Sequence, residues 1–260
     1  MNDLEYAARN LKVGIAYPAF MGCFTKIFHN ISLIKGRENF DLIIFSGGED
    51  INPQVYGEKN LYSNYNDERD KIETYIFNLF YREGAFGNAK ALGICRGHQL
   101  INVLLGGHLL QDITFQLGRG YSHFSEHELE IMKSKSLINH ILKKDMVNSI
   151  HHQGIVSVNH LTPTSKFRKV IESCESDNIF TVQFHPEFME NELSKRFFDT
   201  TIKWVLDRKS LFDEIIKENV GGIEEKLMRA REELNKISID FSSSSSFIIN
   251  NFNTDETNDR

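Results

Sequence analysis

The sequence predicts an α/β fold, a three-layer sandwich around a mostly parallel sheet. Two apolar runs, Asp41–Phe45 (DLIIF) and Lys90–Ile94 (KALGI), have strand length and no polar alternation. That is the pattern of strands buried on both faces. Between them, Asp67–Arg82 carries Ile72, Ile76, Leu79 and Phe80 at the spacing of one helical face. A second helix, Gly97–Leu105, follows the second run and closes at Gly106-Gly107. Strand, helix, strand, helix in this order marks a parallel sheet.

The first element is a strand over Lys12–Tyr17 (KVGIAY), stopped by Pro18. Phe20–Asn30 suits a short helix and Ile31–Ile34 a second strand, although periodicity alone settles neither. Ser125–Met132 (SEHELEIM) alternates as an antiparallel strand does. Lys169–Ser173 and Ile179–Phe184 read as two strands joined by a turn at Glu175-Ser-Asp-Asn178. Phe197, Phe198, Ile202, Trp204 and Val205 give a closing helix over Glu190–Asp207.

Beyond Asp207 the character changes. Ile216, Val220, Ile223, Leu227, Ala230, Leu234 and Ile237 recur at alternating four and three, a heptad pattern. Gly221-Gly222 interrupts it, leaving a helix over Ile223–Ile237. A serine run, Ser242–Ser246, and a polar end rich in Asn and Asp follow. The expected organisation is a body over residues 1–206, a helical extension over 207–240 and a disordered tail over 241–260.

At 260 residues the chain is long enough for one sizeable core. A formal net charge of -6 argues against non-specific nucleic-acid binding, which needs a basic face to release counterions. No apolar run approaches the roughly 20 residues that cross a bilayer, and the start lacks the charged-then-apolar layout of a signal peptide. Cys23, Cys95 and Cys174 are an odd number and widely spaced, which fits a reducing cytoplasm. In that compartment a cysteine in a special setting is a candidate nucleophile.

Gly93-Ile-Cys95-Arg-Gly97 lies between a buried strand and a helix, the arrangement of a nucleophile elbow. At the start of that helix the dipole and free N–H groups favour the thiolate, the form that attacks. The competing reading is a buried cysteine packed as a small hydrophobe, which is how Cys23 and Cys174 are read. His185-Pro186-Glu187 ends the strand Ile179–Phe184. Residues two apart in an extended segment share a face, so a base at His185 and its orienting carboxylate at Glu187 can reach one site. Ser46-Gly47-Gly48-Glu49-Asp50 follows the strand DLIIF at the carboxyl edge of the sheet, where sites of open α/β folds gather. Its N–H groups can supply half of an oxyanion hole, with the N–H of Arg96 as the other half; an ordinary turn is the plainer reading.

Five histidines (His123, His127, His151, His152 and His185) raise the question of a metal. Adjacent His151 and His152 point opposite ways if extended, and no Cys/His spacing matches a zinc motif, so no metal and no cofactor is expected.

Taken in order, Phe45-Ser-Gly-Gly-Glu-Asp-Ile-Asn-Pro53, Tyr56-Gly-Glu58, Gly93-Ile-Cys-Arg-Gly-His-Gln99, Asn102-Val103, Gly106-Gly107, Gln111-Asp-Ile113, Val147-Asn-Ser-Ile-His-His-Gln153 and Val182-Gln-Phe-His-Pro-Glu187 resemble the class I (triad) glutamine amidotransferase superfamily. Arg96, Tyr56-Gly-Glu58 and His151-His-Gln153 make its γ-glutamyl-GABA hydrolase-like branch the nearest. The resemblance spans about Lys12 to Leu206 and implies a flavodoxin- or Rossmann-like fold. It implies Cys95 as nucleophile, His185 as base and acid, Glu187 as orienter, and oxyanion donors at the backbone of Gly48 and Arg96. Gln99 and the backbone around His151, Gln153 and Gly154 would hold the α-amino and α-carboxylate groups of a glutamyl substrate. Arg69, Asp70 and Glu73 match a family pattern on the helix before the elbow, although a solvated helix face explains them almost as well. The stretches Pro18–Phe40 and Leu161–Glu172 are shorter than the family usually has, which bears on the leaving-group side of the pocket.

The function implied is hydrolysis of a γ-glutamyl amide through a thioester, with no cofactor. A glutaminase subunit feeding ammonia to a separate synthase is the alternative, and a degenerate binding or regulatory protein the third reading. The partners expected are a small γ-glutamyl substrate or glutamine, and a synthase or second copy through the C-terminal helix. Neither nucleic acid nor a membrane is expected.

Overall fold

Five parallel strands form the centre of the protein, and three of them bring their carboxyl ends to one place. The computed structural model describes residues 3–121 and 123–206. The helix expected over Ile223–Ile237, the extension 207–240 and the tail 241–260 lie outside the described residues.

In chain order the elements are α1 (Asp3–Asn10), β1 (Val13–Ile15), α2 (Met21–Phe24), β2 (Ile31–Leu33), β3 (Leu42–Phe45), α3 (Asp67–Tyr81), β4 (Lys90–Ile94), α4 (Arg96–Leu104), β5 (His108–Leu110), α5 (Ile113–Leu117), β6 (His127–Glu128), β7 (Glu130–Ile131), α6 (Leu137–Ile141), β8 (Met146–Val147), β9 (Gly154–Ser157), β10 (Thr162–Phe167), β11 (Val170–Glu175), β12 (Ile179–Val182) and α7, residues 192–206. The main sheet runs β2-β1-β3-β4-β12-β11-β10-β7, and β9 pairs with β11 and β5. From β2 to β12 every pairing is parallel. An antiparallel extension then follows.

Three layers follow from alternation along β12. Phe180 packs on Phe197 and Trp204 of α7, whereas Thr181 hydrogen-bonds His98 of α4. Adjacent strand residues point to opposite faces, so α7 and α4 cover opposite sides of the sheet. On the α3 side, Ile43, Phe45 and Ala91 join Ile76, Phe77, Leu79 and Phe80 in one apolar cluster.

Several sequence expectations need correction. Ile72 does not belong to the buried face of α3; it is exposed, and the buried face begins with Arg69, Asp70 and Glu73. Apolar periodicity misplaced that face because charged side chains occupy its first two turns. The region Ser125–Met132 is two two-residue strands, β6 pairing with β8 and β7 with β10. Phe20–Asn30 holds a single helical turn. Cys23 is half-buried and no core filler, whereas Cys174 is fully buried.

The strand β10 (TPTSKF) carries almost no hydrophobic signal. Its inward positions are hydroxyls: Thr164 and Ser165 both bond Ser173 on β11, at 2.7 and 2.6 Å. Buried polar groups that satisfy one another are stable in a core and invisible to a hydropathy pattern.

Candidate active site

Three carboxyl-terminal strand ends meet at one place. Phe45 of β3 pairs with Gly93 of β4, and Ile94 of β4 with Val182 of β12. The residues that follow them are therefore neighbours: Ser46–Asp50, Cys95 and His185. The N–H of Cys95 donates to the Val182 carbonyl at 2.8 Å, which continues the ladder into the turn.

Cys95 has φ 51° and ψ −103°, a strained conformation for a residue with a Cβ, and it caps the start of α4. The two glycines around it are required by contact. A Cβ on Gly93 would lie 2.8 Å from the Gly97 carbonyl oxygen, and one on Gly97 only 2.0 Å from the Phe45 carbonyl oxygen. Thus the G-x-C-x-G spacing lets α4 start directly against β3 and β4.

The His185 Nδ1 is 2.8 Å from Glu187 Oε1, with the Glu187 side chain fully buried. This contact was expected from extended geometry, but Pro186–Phe188 is a 3-10 turn, and the turn brings the two side chains together. Burial opposes a charge on His185; hydrogen bonding and charge from Cys95 and Glu187 outweigh it and raise the imidazole to about 10. Gly47 touches both sides of this pair: a Cβ there would stand 2.4 Å from His185 Cε1 and 3.4 Å from Cys95 Cβ. Phe188 stacks on the His185 ring at 4.8 Å and Phe20 meets it edge-on at 6.2 Å. Phe20 is 39% exposed and Phe188 41%, so two apolar rings lie at the surface beside the imidazole.

Sequence reasoning missed Asn148. Its Oδ1 accepts the His185 N–H at 2.8 Å and its Nδ2 donates to the His185 carbonyl at 2.9 Å. The only signal was its place in Val147-Asn-Ser. The expected substrate residues lie nearby but are occupied with one another. Gln99 Nε2 donates to the Gln153 carbonyl and to Gln183 Oε1, at 3.2 and 3.0 Å. Gln153 Nε2 donates to Ser63 Oγ at 2.9 Å, and Gly154 opens β9.

The solvated-face reading of Arg69, Asp70 and Glu73 is overturned, since all three are buried. Arg96 donates to Glu73 and to Asp70, and Arg69 donates to Glu73 at 3.3 Å and to Glu49 at 2.7 Å. Burial depresses both guanidinium groups and raises Asp70, while the opposite charges work against each shift.

Of the five histidines, His152 bonds Asp50 at 2.9 Å. His123, His127 and His151 instead converge on buried Glu172, their Nε2 atoms 3.4, 3.9 and 3.7 Å from its carboxylate oxygens. Each turns its Nδ1 to a backbone carbonyl. Among the described residues no group of His, Cys, Asp or Glu is arranged to hold a metal ion.

Burial lowers both His98 and His123 to about 4, so the fold holds them neutral while the unfolded chain protonates them near 6.5. The unfolded state then binds more protons, and stability falls as pH drops from about 6.5 to about 4, by up to ~3 kcal/mol per histidine. The urea midpoint should therefore be clearly lower at pH 5 than at pH 7. An unchanged midpoint would show that these rings take up protons in the native state.

The protein-family model described as peptidase C26 matches residues 30–187, more than half of the chain. The chain is 32% identical over 182 residues to protein NtpR of Enterococcus hirae, covering 62% of this chain and 74% of that one. It is 28% identical over 202 residues to the glutamine amidotransferase-like protein YvdE of Lactococcus lactis, covering 68% and 82%. A solved protein of Thermoplasma acidophilum, named for a GMP synthase, shares the fold with a TM-score of 0.57 at 14% identity, covering 77% of this chain and 96% of that one. A strained cysteine between β4 and α4, a histidine held by a glutamate after β12, and this family match converge: the chain belongs to the peptidase C26 family.

Proposed function

We propose that this protein hydrolyses a γ-glutamyl amide through a thioester on Cys95. The observation that carries the reading is Cys95 on a strained elbow, beside an imidazole that Glu187 holds by its Nδ1. The Cys95 thiolate attacks the γ-carbonyl carbon, and the carbonyl electrons move onto oxygen. The N–H groups of Gly48 and Arg96 receive that oxyanion. As the C–N bond breaks, the His185 imidazolium gives its proton to the leaving amine. Water then attacks the thioester, His185 takes its proton, and Cys95 leaves as thiolate with release of glutamate. Glu187 keeps the Nδ1–H tautomer and stabilises the cation. Gln99, the backbone around His151, Gln153 and Gly154 would seat the glutamyl head.

The departing amine would leave past Phe20 and Phe188, since both rings lie against the imidazole that protonates it. Binding energy from an amine larger than ammonia can align the carbonyl and raise turnover. The purified chain should therefore release glutamate from γ-glutamyl amines without a partner, and faster than from glutamine. Negligible activity across the panel, with glutamine cleavage appearing only when a synthase is added, would favour a synthase-coupled glutaminase.

The nucleophile is separately testable. A glutamine-mimicking diazo ketone should modify Cys95 and leave Cys23 and Cys174 unmodified, read by peptide mass mapping after brief labelling. Burial pushes the Cys174 thiol up and keeps it from reacting. Label on Cys23 or Cys174 with Cys95 untouched sinks the assignment.

A further inference from the structure

We infer that Arg69 is a positioning residue that sets the direction of the oxyanion-hole peptide, through a buried network that also grips the other half of the hole. The inference rests on the hydrolase reading above and goes beyond it, since neither the elbow nor the histidine requires an arginine on α3.

The geometry begins with two carbonyls. Arg69 Nη2 donates to the Gly47 carbonyl at 2.8 Å and to the Ser46 carbonyl at 3.1 Å. No peptide bond among the described residues is cis. In a trans peptide the C=O of one residue and the N–H of the next point in opposite directions. By drawing the Gly47 carbonyl toward α3, Arg69 turns the Gly48 N–H away from α3. His185 and Cys95 stand against Gly47 and Arg69 against Gly48, since a Cβ on Gly47 would meet the first two and a Cβ on Gly48 the guanidinium. The guanidinium thus aims the Gly48 N–H to where an oxyanion on a Cys95 adduct would form.

The loop leaves no slack around this arrangement. Gly48 has φ +148°, a conformation that residues with a Cβ rarely adopt, and a Cβ there would lie 2.1 Å from Arg69 Nη1. Arg69 is fully buried, lies over the Tyr17 ring at 4.8 Å, and is held by Glu49 at Nη1 and by Glu73 at Nε and Nη2. Glu73 also accepts from Arg96, and Asp70 accepts the second Arg96 nitrogen. Arg96 is the residue whose backbone N–H would be the second oxyanion donor. One carboxylate, Glu73, therefore ties together the side chains that place both donors.

An arginine is needed because three directions must be served from one rigid plane: the loop carbonyls, Glu49 and Glu73. A lysine carries the charge but not the fork. Arg69→Lys should therefore leave Cys95 as nucleophilic as before and impair only the steps that develop an oxyanion. Alkylation of Cys95 by iodoacetamide displaces iodide and forms no oxyanion, whereas acyl transfer does. In Arg69→Lys the kcat for glutamate release should fall on the order of 10²–10³-fold, the size seen when one oxyanion donor is lost. KM and the alkylation rate should stay within about threefold.

Glu49→Gln serves as a second variant if Arg69→Lys does not fold, because Glu49 is partly exposed and its loss frees only one end of the fork. It should show the same split between kcat and alkylation at smaller size. A kcat within threefold of wild type in every variant that folds, or alkylation falling in step with kcat, overturns the positioning role. A wild-type chain that alkylates at Cys95 yet cleaves no amide removes the hydrolase reading itself, and the oxyanion argument with it. Wild-type turnover that the variants leave untouched removes only Arg69.

Discussion

Cys95→Ala and His185→Ala should each lower kcat for glutamate release on the order of 10⁴–10⁶-fold, while Glu187→Gln should lose less. The first two remove a group that forms or breaks a bond to the substrate. Glu187 acts only through the imidazole, by its 2.8 Å contact at Nδ1. A glutamine can still accept that N–H and keep the tautomer, but it removes a negative charge from beside the ring. The imidazole, held at about 10 by Cys95 and Glu187 against burial, should then deprotonate at lower pH. The upper limb of the kcat/KM profile should move to lower pH in Glu187→Gln, and the variant should keep the circular dichroism of the wild type. A loss equal to that of His185→Ala, or an unmoved upper limb, would give Glu187 a more direct part.

Gly97→Ala should destabilise the fold by more than ~3 kcal/mol, a large share of the roughly 5–15 kcal/mol that holds a domain together. The added Cβ would stand 2.0 Å from the Phe45 carbonyl oxygen and 2.6 Å from its carbon. Those are backbone atoms of a buried strand, and no side-chain rotation relieves the clash. The only response is to push α4 off β3, which opens the α3–α4 core and displaces Cys95 with it. Gly22→Ala is the control, since nothing lies within 4 Å of a Cβ there and it sits in the short helix α2. That change should be neutral or stabilise by about 0.5–1 kcal/mol. Urea midpoints of the two variants test the contrast. A Gly97→Ala midpoint close to wild type would mean that the helix can slide over the strand.

The sequence by itself determined the parallel core and singled out the candidate residues of the site. Runs such as DLIIF and KALGI suit strands buried on both faces, and the glycines around Cys95 marked a place where strand and helix touch. The order of motifs was enough to identify the superfamily. Local pattern reports what a residue does to its own element, and these features are local.

The tertiary structure decided what depends on partners distant in sequence. The first turns of α3 looked solvated because Arg69, Asp70 and Glu73 are charged, yet they are buried through Arg96, 23 positions beyond Glu73, and through the loop after β3. Strand β10 was silent because its inward hydroxyls answer the Ser173 hydroxyl on β11. Asn148 gained its role only when folding placed it against the backbone of His185, 37 positions away. In each case a polar group is stable inside the protein because another polar group satisfies it, and a hydropathy pattern reads the group without its partner.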